Sequence, residues 1–155
     1  YGMRGGKLFV RGNVGYRVGI HMKGYKKQVP VIIAGGRAGD FLGEYMAGGI
    51  LIVLGLNSET GNPIARHGAS SAVAGDYIGT GMHGGTIYLG DEVDPCRLGK
   101  EVGITPLQDE DHRLLKELLE EFCADLDLKR DEVLSRNFVK LTPQSHRPYG
   151  NLYSY

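Results

Sequence analysis

Gly39-Asp40-Phe41-Leu42-Gly43-Glu44-Tyr45-Met46-Ala47-Gly48-Gly49 returns 36 residues later as Gly75-Asp76-Tyr77-Ile78-Gly79-Thr80-Gly81-Met82-His83-Gly84-Gly85. Both read Gly-Asp-aromatic-aliphatic-Gly, then Met and a Gly-Gly pair. A partial third copy opens the chain as Met3-Arg4-Gly5-Gly6. Each Gly-Gly pair leads into a short apolar run that ends on glycine: Lys7 to Gly12, Ile50 to Gly55 and Thr86 to Gly90. Such runs, rich in β-branched and aromatic residues and bounded by glycine, read as strands. A second set of apolar runs lies between them, at Val29 to Ala34 and Ala69 to Ala74.

A period near 36 also suits helical arrays. Glycine every three or four residues excludes them, because each costs about 1 kcal/mol relative to alanine in a helix. The expectation is therefore a solenoid, each repeat dividing into two coils of about 18 residues. Corners of such coils need positive φ, which glycine supplies without steric cost. Coils stacked about 4.8 Å apart leave no room for a corner side chain. Met3, Met46 and Met82 are expected to form one inward ladder, and Leu8/Val10, Leu51/Val53 and Ile87/Leu89 another. Ile20 to Lys27 and Asn57 to His67 interrupt the repeat and read as loops.

Residues 1–90 hold 22 of the 25 glycines, so the composition changes near residue 91. Beyond it, Leu114, Leu115, Leu118, Leu119, Phe122, Cys123 and Leu126 fall on one helical stripe. Asp109-Glu110-Asp111 before the stripe suits a positive helix N-terminus. Lys129 to Leu134 reads as a second short helix, and Asn137 to Pro143 as extended chain. The fold expected is all-β: a single-stranded right-handed parallel β-helix over 1–90. Residues 91–155 form a linker, an amphipathic helix and an extended tail packing on it. Its structural repeat positions are Gly39, Asp40, Gly43, Met46, Gly48 and Gly49, with Gly75, Asp76, Gly79, Met82, Gly84 and Gly85.

Eighteen basic and 18 acidic residues give no electrostatic reason to expect nucleic acid or an anionic membrane as partner. No apolar run approaches the roughly 20 residues of a membrane span, and no basic-then-apolar leader opens the chain. Cys96 and Cys123 are not spaced as a metal or redox pair, and two lone thiols fit a reducing cytoplasm. They read as a loop thiol and a helix-core thiol.

Little catalytic chemistry is legible. No Walker loop or Gly-x-Ser-x-Gly elbow occurs. Gly79-Thr80-Gly81 is a by-product of glycine abundance rather than a dinucleotide fingerprint. His67 and His83 lie 16 residues apart, a spacing at which adjacent coils bring two imidazoles together for a metal. The His83 slot holds Ala47 and Arg4 in the other copies, which favours a corner residue. Asp40 and Asp76 share one repeat slot, where acid–base pairing competes with turn formation through backbone N–H groups. The turn is the preferred reading. A left-handed β-helix acyltransferase would need a six-residue rhythm that the chain does not show.

The repeat resembles a known family. Glu44-Tyr45-Met46-Ala47-Gly48-Gly49 followed by Val53-Leu54-Gly55 is similar to a segment of the C-terminal, GXGXG-repeat domain of the glutamate synthase large chain. Gly81-Met82-His83-Gly84-Gly85 with Tyr88 resembles a later stretch, and Gly12-Asn13-Val14-Gly15-Tyr16-Arg17-Val18 an earlier corner. Residues 3–90 carry the likeness, and Asn137 to Pro143 resembles that family's ending less specifically. The chain departs from the bacterial pattern between Leu56 and Val73, which add about one coil. With no amidotransferase or flavin-binding region in the sequence, it looks like the archaeal-type, stand-alone form. The glycine-repeat subunit of formylmethanofuran dehydrogenase, a molybdenum or tungsten enzyme, shares the Gly-Asp…Met-x-Gly-Gly coil and is the alternative.

The resemblance implies a structural subunit of an oxidoreductase that forms glutamate from glutamine and 2-oxoglutarate. An amidotransferase unit releases ammonia and an FMN/iron–sulfur unit reduces the imine, while this domain holds them together. It implies no catalytic, cofactor-binding or metal-binding residue in this chain, with FMN and iron–sulfur clusters in partner subunits. An unpaired first edge adds the expectation of a complex or a homo-oligomer.

Overall fold

The computed structural model describes residues 1–62 and 72–144. Six strands form one sheet: β1 (Lys7–Val10), β2 (Val31–Ala34), β3 (Ala47–Val53), β4 (Gly84–Leu89), β5 (Val102–Thr105) and β6 (Val139–Pro143). Their order across the sheet is β1-β2-β3-β4-β6-β5. The first four run parallel, with Leu8, Ile32, Leu51 and Ile87 in one register line and Val10, Ala34, Val53 and Leu89 in another. β6 then runs antiparallel to both β4 and β5.

The parallel strands read as continuous apolar runs because both faces of the sheet are covered. Ile32, Ala34, Leu51, Val53, Ile87 and Leu89 point into a core closed on its far side by the loops between strands. Met22, Met46 and Met82 lie in that core, fully or almost fully buried, and Met3 packs on it partly buried. Val31, Ile33, Ile52, Leu54 and Tyr88 point the other way, onto the helices. There α1 (Asp109–Leu126) lays down Leu115, Leu118, Leu119, Phe122 and Cys123, and α2 (Arg130–Leu134) adds Val133. The molecule is thus layered as loops, sheet and helices, with a core on each side of the sheet.

The loops opposite the sheet are tied to one another by backbone hydrogen bonds. Arg17 N–H donates to the carbonyl of Asp40, and Phe41 N–H to that of Asp76. Gly43 and Gly79 N–H groups donate to Val18 and Leu42, and His21 and Tyr45 N–H groups to Glu44 and Thr80. Loop therefore lies on loop as strand lies on strand. Between the sheet and these loops a side chain at Gly84 would collide with the Ala47 peptide, its Cβ falling 2.7 Å from the carbonyl carbon.

Three expectations need correction. The fold is not an all-β, single-stranded parallel β-helix but a mixed α/β fold, with a six-stranded mixed sheet and two helices. A regular circuit of about 18 residues does not hold either. Lys7 pairs with Val31 and Val31 with Ile50, but Ile50 pairs with Thr86, 36 residues on. The physical reason lies in residues that no period announces: Val102-Gly103-Ile104-Thr105 and the tail strand fall outside the repeat, and nothing in their sequence shows which strand they join. Nor is glycine the sole corner residue. Arg17, His21, Phe41, Tyr45 and Tyr77 all sit at φ between 51° and 60°, a region that disfavours side chains by about 1 to 2 kcal/mol each. His67 and the second loop from residue 63 on, with Ala69 to Ser71 and the tail beyond residue 144, lie outside the described residues.

Candidate functional site

Carboxylates are the first groups to place. Asp40 Oδ1 accepts the Asp76 N–H at 2.8 Å, so one repeat's carboxylate ties down the next repeat's turn. Asp76 Oδ1 in turn accepts from Arg97 Nη1 at 2.9 Å. The two carboxylates are thus linked through the backbone, not set facing one another over a substrate. In the first loop Asn13 Oδ1 does the same work, accepting the Arg37 N–H at 2.9 Å.

Glu44, unmatched in the repeat, is buried at 6% exposure. Its Oε2 accepts from Arg17 Nη1 at 2.5 Å. The Arg17 guanidinium also lies 4.8 Å from the centre of the Phe41 ring. Phe41 stacks on Tyr77 with ring centres 4.9 Å apart and planes 13° from parallel. A second column runs beside the first. Tyr1 meets the His21 edge at 5.6 Å, and His21 stacks on Tyr45 at 5.3 Å. Arg17, Phe41, Tyr77, His21 and Tyr45 all stand at positive φ, and the left-handed corner is what turns their side chains outward to stack from loop to loop. Tyr45 and Tyr77 keep about half their surface exposed. Such columns offer flat aromatic and guanidinium surface.

The most buried polar network lies on the helical side, and sequence reasoning missed it. Asp111 is 6% exposed. It accepts from the Tyr88 hydroxyl at 2.5 Å, from Lys140 Nζ at 2.8 Å and from the Gln108 N–H at 2.7 Å. It therefore joins α1, β4 and β6 at one point. Burial pushes its carboxyl up, but donation from Lys140, Tyr88 and Gln108 outweighs that and holds it below the ordinary aspartate range. Burial, with the bond to Asp111 and its charge, holds the Tyr88 phenol protonated far above its usual range. The Asp109-Glu110-Asp111 run signalled a helix start. The signal that singles out Asp111 is its placement three residues past the N-cap Gln108, where a carboxylate reaches back to the cap's N–H.

Of the repeat positions named from sequence, Met46 and Met82 lie in the loop-side core, and Gly43, Gly49, Gly79 and Gly85 have positive φ. Gly39, Gly48, Gly75 and Gly84 meet backbone or side-chain atoms of the neighbouring loop or strand. His83 is exposed, with Nδ1 3.3 Å from the Gly81 carbonyl oxygen. Among the described residues no group of three His, Cys, Asp or Glu side chains is arranged to hold a metal ion. Cys96 is exposed in the single turn Pro95–Arg97, and Cys123 is buried on α1, where burial raises its thiol pKa. No helix among the described residues is long and apolar enough to cross a membrane.

Glycine-cornered loops locked by backbone bonds against a parallel sheet define a repeat protein whose signature is its glycines, and this chain belongs to the GXGXG motif family, whose pattern matches residues 1–146. It is 50% identical over 145 residues to the uncharacterized protein MJ1350 of Methanocaldococcus jannaschii, covering 92% of this chain and 53% of that one. It is 36% identical over 104 residues to ferredoxin-dependent glutamate synthase 2 of Synechocystis, covering 66% of this chain and 5% of the synthase. The chain thus spans about half the length of the archaeal relative and a small part of the synthase. The resemblance read from Glu44 to Gly55 is met: the GXGXG domain is homologous to a glutamate synthase region, and the archaeal match is consistent with an archaeal-type domain.

Proposed function

We propose that this chain is a structural subunit or domain of a glutamate-synthase-type assembly, holding an amidotransferase unit and an FMN/iron–sulfur unit at fixed spacing and catalysing no step itself. The observation that carries this reading is the 104-residue likeness to a glutamate synthase, within a family match that covers most of the chain. The polar groups fit it. Asp40, Asp76, Glu44 and Asp111 are each engaged in bonds that tie loop to loop or helix to sheet. The cysteines fit it as well. An iron–sulfur cluster takes four thiolates as a rule and this sequence holds two cysteines, which supports placing the clusters in partner chains. Loops and strands bonded layer to layer make a stiff spacer, which suits a complex in which ammonia and an imine must meet.

The test is reconstitution. The chain is co-expressed with an amidotransferase chain and a flavin/iron–sulfur synthase chain from the same genome, and the complex is isolated by size exclusion. Glutamate formation from glutamine and 2-oxoglutarate is expected to require all three. Full glutamine-dependent activity without this chain, or co-purification with a pterin–metal subunit instead, would remove the proposal.

A further inference from the structure

We draw no further inference here: the strongest candidate, the loop-face patch where the stacks of Phe41 on Tyr77 and His21 on Tyr45 leave both tyrosines about half exposed, carries none because nothing in the structure shows what covers it.

Discussion

Asp111→Ala is expected to destabilise the chain by about 3 kcal/mol, near the lower end of what removing one partner from a buried charge pair costs. The structure places it there. The Lys140 side chain is 17% exposed, so its ammonium, left without a counter-charge, can recover some water. The Tyr88 hydroxyl belongs to a residue only 2% exposed and cannot, and the Gln108 N–H loses its cap. For a chain of this length the loss corresponds to a fall of about 6 to 12 °C in melting temperature. Urea unfolding followed by far-UV circular dichroism measures it directly. Lys140→Met added to Asp111→Ala should recover part of the loss, because it removes the stranded cation. The pH dependence has a definite sign. A carboxyl held below its ordinary value when folded contributes fully above the unfolded value near 3.8, and its contribution fades as pH falls through the lower folded value. Wild-type stability should therefore drop more steeply than that of Asp111→Asn below about pH 4. A loss under about 1 kcal/mol, as an exposed ion pair would give, together with parallel pH curves, would refute the account of Asp111 as the pin between helix and sheet.

Gly84→Val is expected to cost about 3 kcal/mol or more, since a side chain there meets the Ala47 peptide rather than a movable group; an unchanged urea midpoint would contradict the close approach of β3 and β4. Phe122→Ala removes a fully buried ring that meets Phe9 edge-on at 5.5 Å, and should cost about 3 to 5 kcal/mol, with α1 amides exchanging earlier than those of β3. Equal exchange in both would show that helix and sheet unfold as one unit. Arg17→Met strands a buried Glu44 carboxylate, so about 1 to 3 kcal/mol is expected, largely restored by adding Glu44→Gln; no restoration would mean that the ring contact with Phe41 carries the effect.

Where the sequence spoke through period, it spoke clearly. The 36-residue offset is the register of β3 on β4, and the methionines at equal repeat positions occupy one core. Met22 escaped the reading because its neighbours Ile20-His21-Met22-Lys23-Gly24 carry no Gly-Gly pair to announce it. Direction was the harder quantity. A strand's residues show that it pairs, but whether β6 returns parallel or antiparallel depends on where the helix leaves the chain, and that is set by α1 packing on Ile33, Ile52 and Tyr88. The same limit hid Asp111. An acidic triplet at a helix start shows its benefit to the helix dipole, while burial of one member by Tyr88 and Lys140 is a product of tertiary packing.

The aromatic corner residues show how this fold makes use of a locally unfavourable choice. A side chain at positive φ loses about 1 to 2 kcal/mol relative to glycine, and an aromatic pair contributes about 0.5 to 1.5 kcal/mol. For Tyr77, stacked on Phe41, the two terms nearly cancel, so stability alone gives little reason to prefer tyrosine to glycine there. Gly81 makes the comparison inside the molecule: it takes the third place in the column of His21 and Tyr45, at φ 68°, with the Tyr45 ring lying over it. Where the column gains nothing from another ring, glycine stands. Where rings stand, they leave about half of Tyr45 and Tyr77 facing solvent, and tyrosine and arginine are the side chains that contribute most when a partner covers them. The corners thus do two things at once, turning the chain from layer to layer and presenting stacked rings outward.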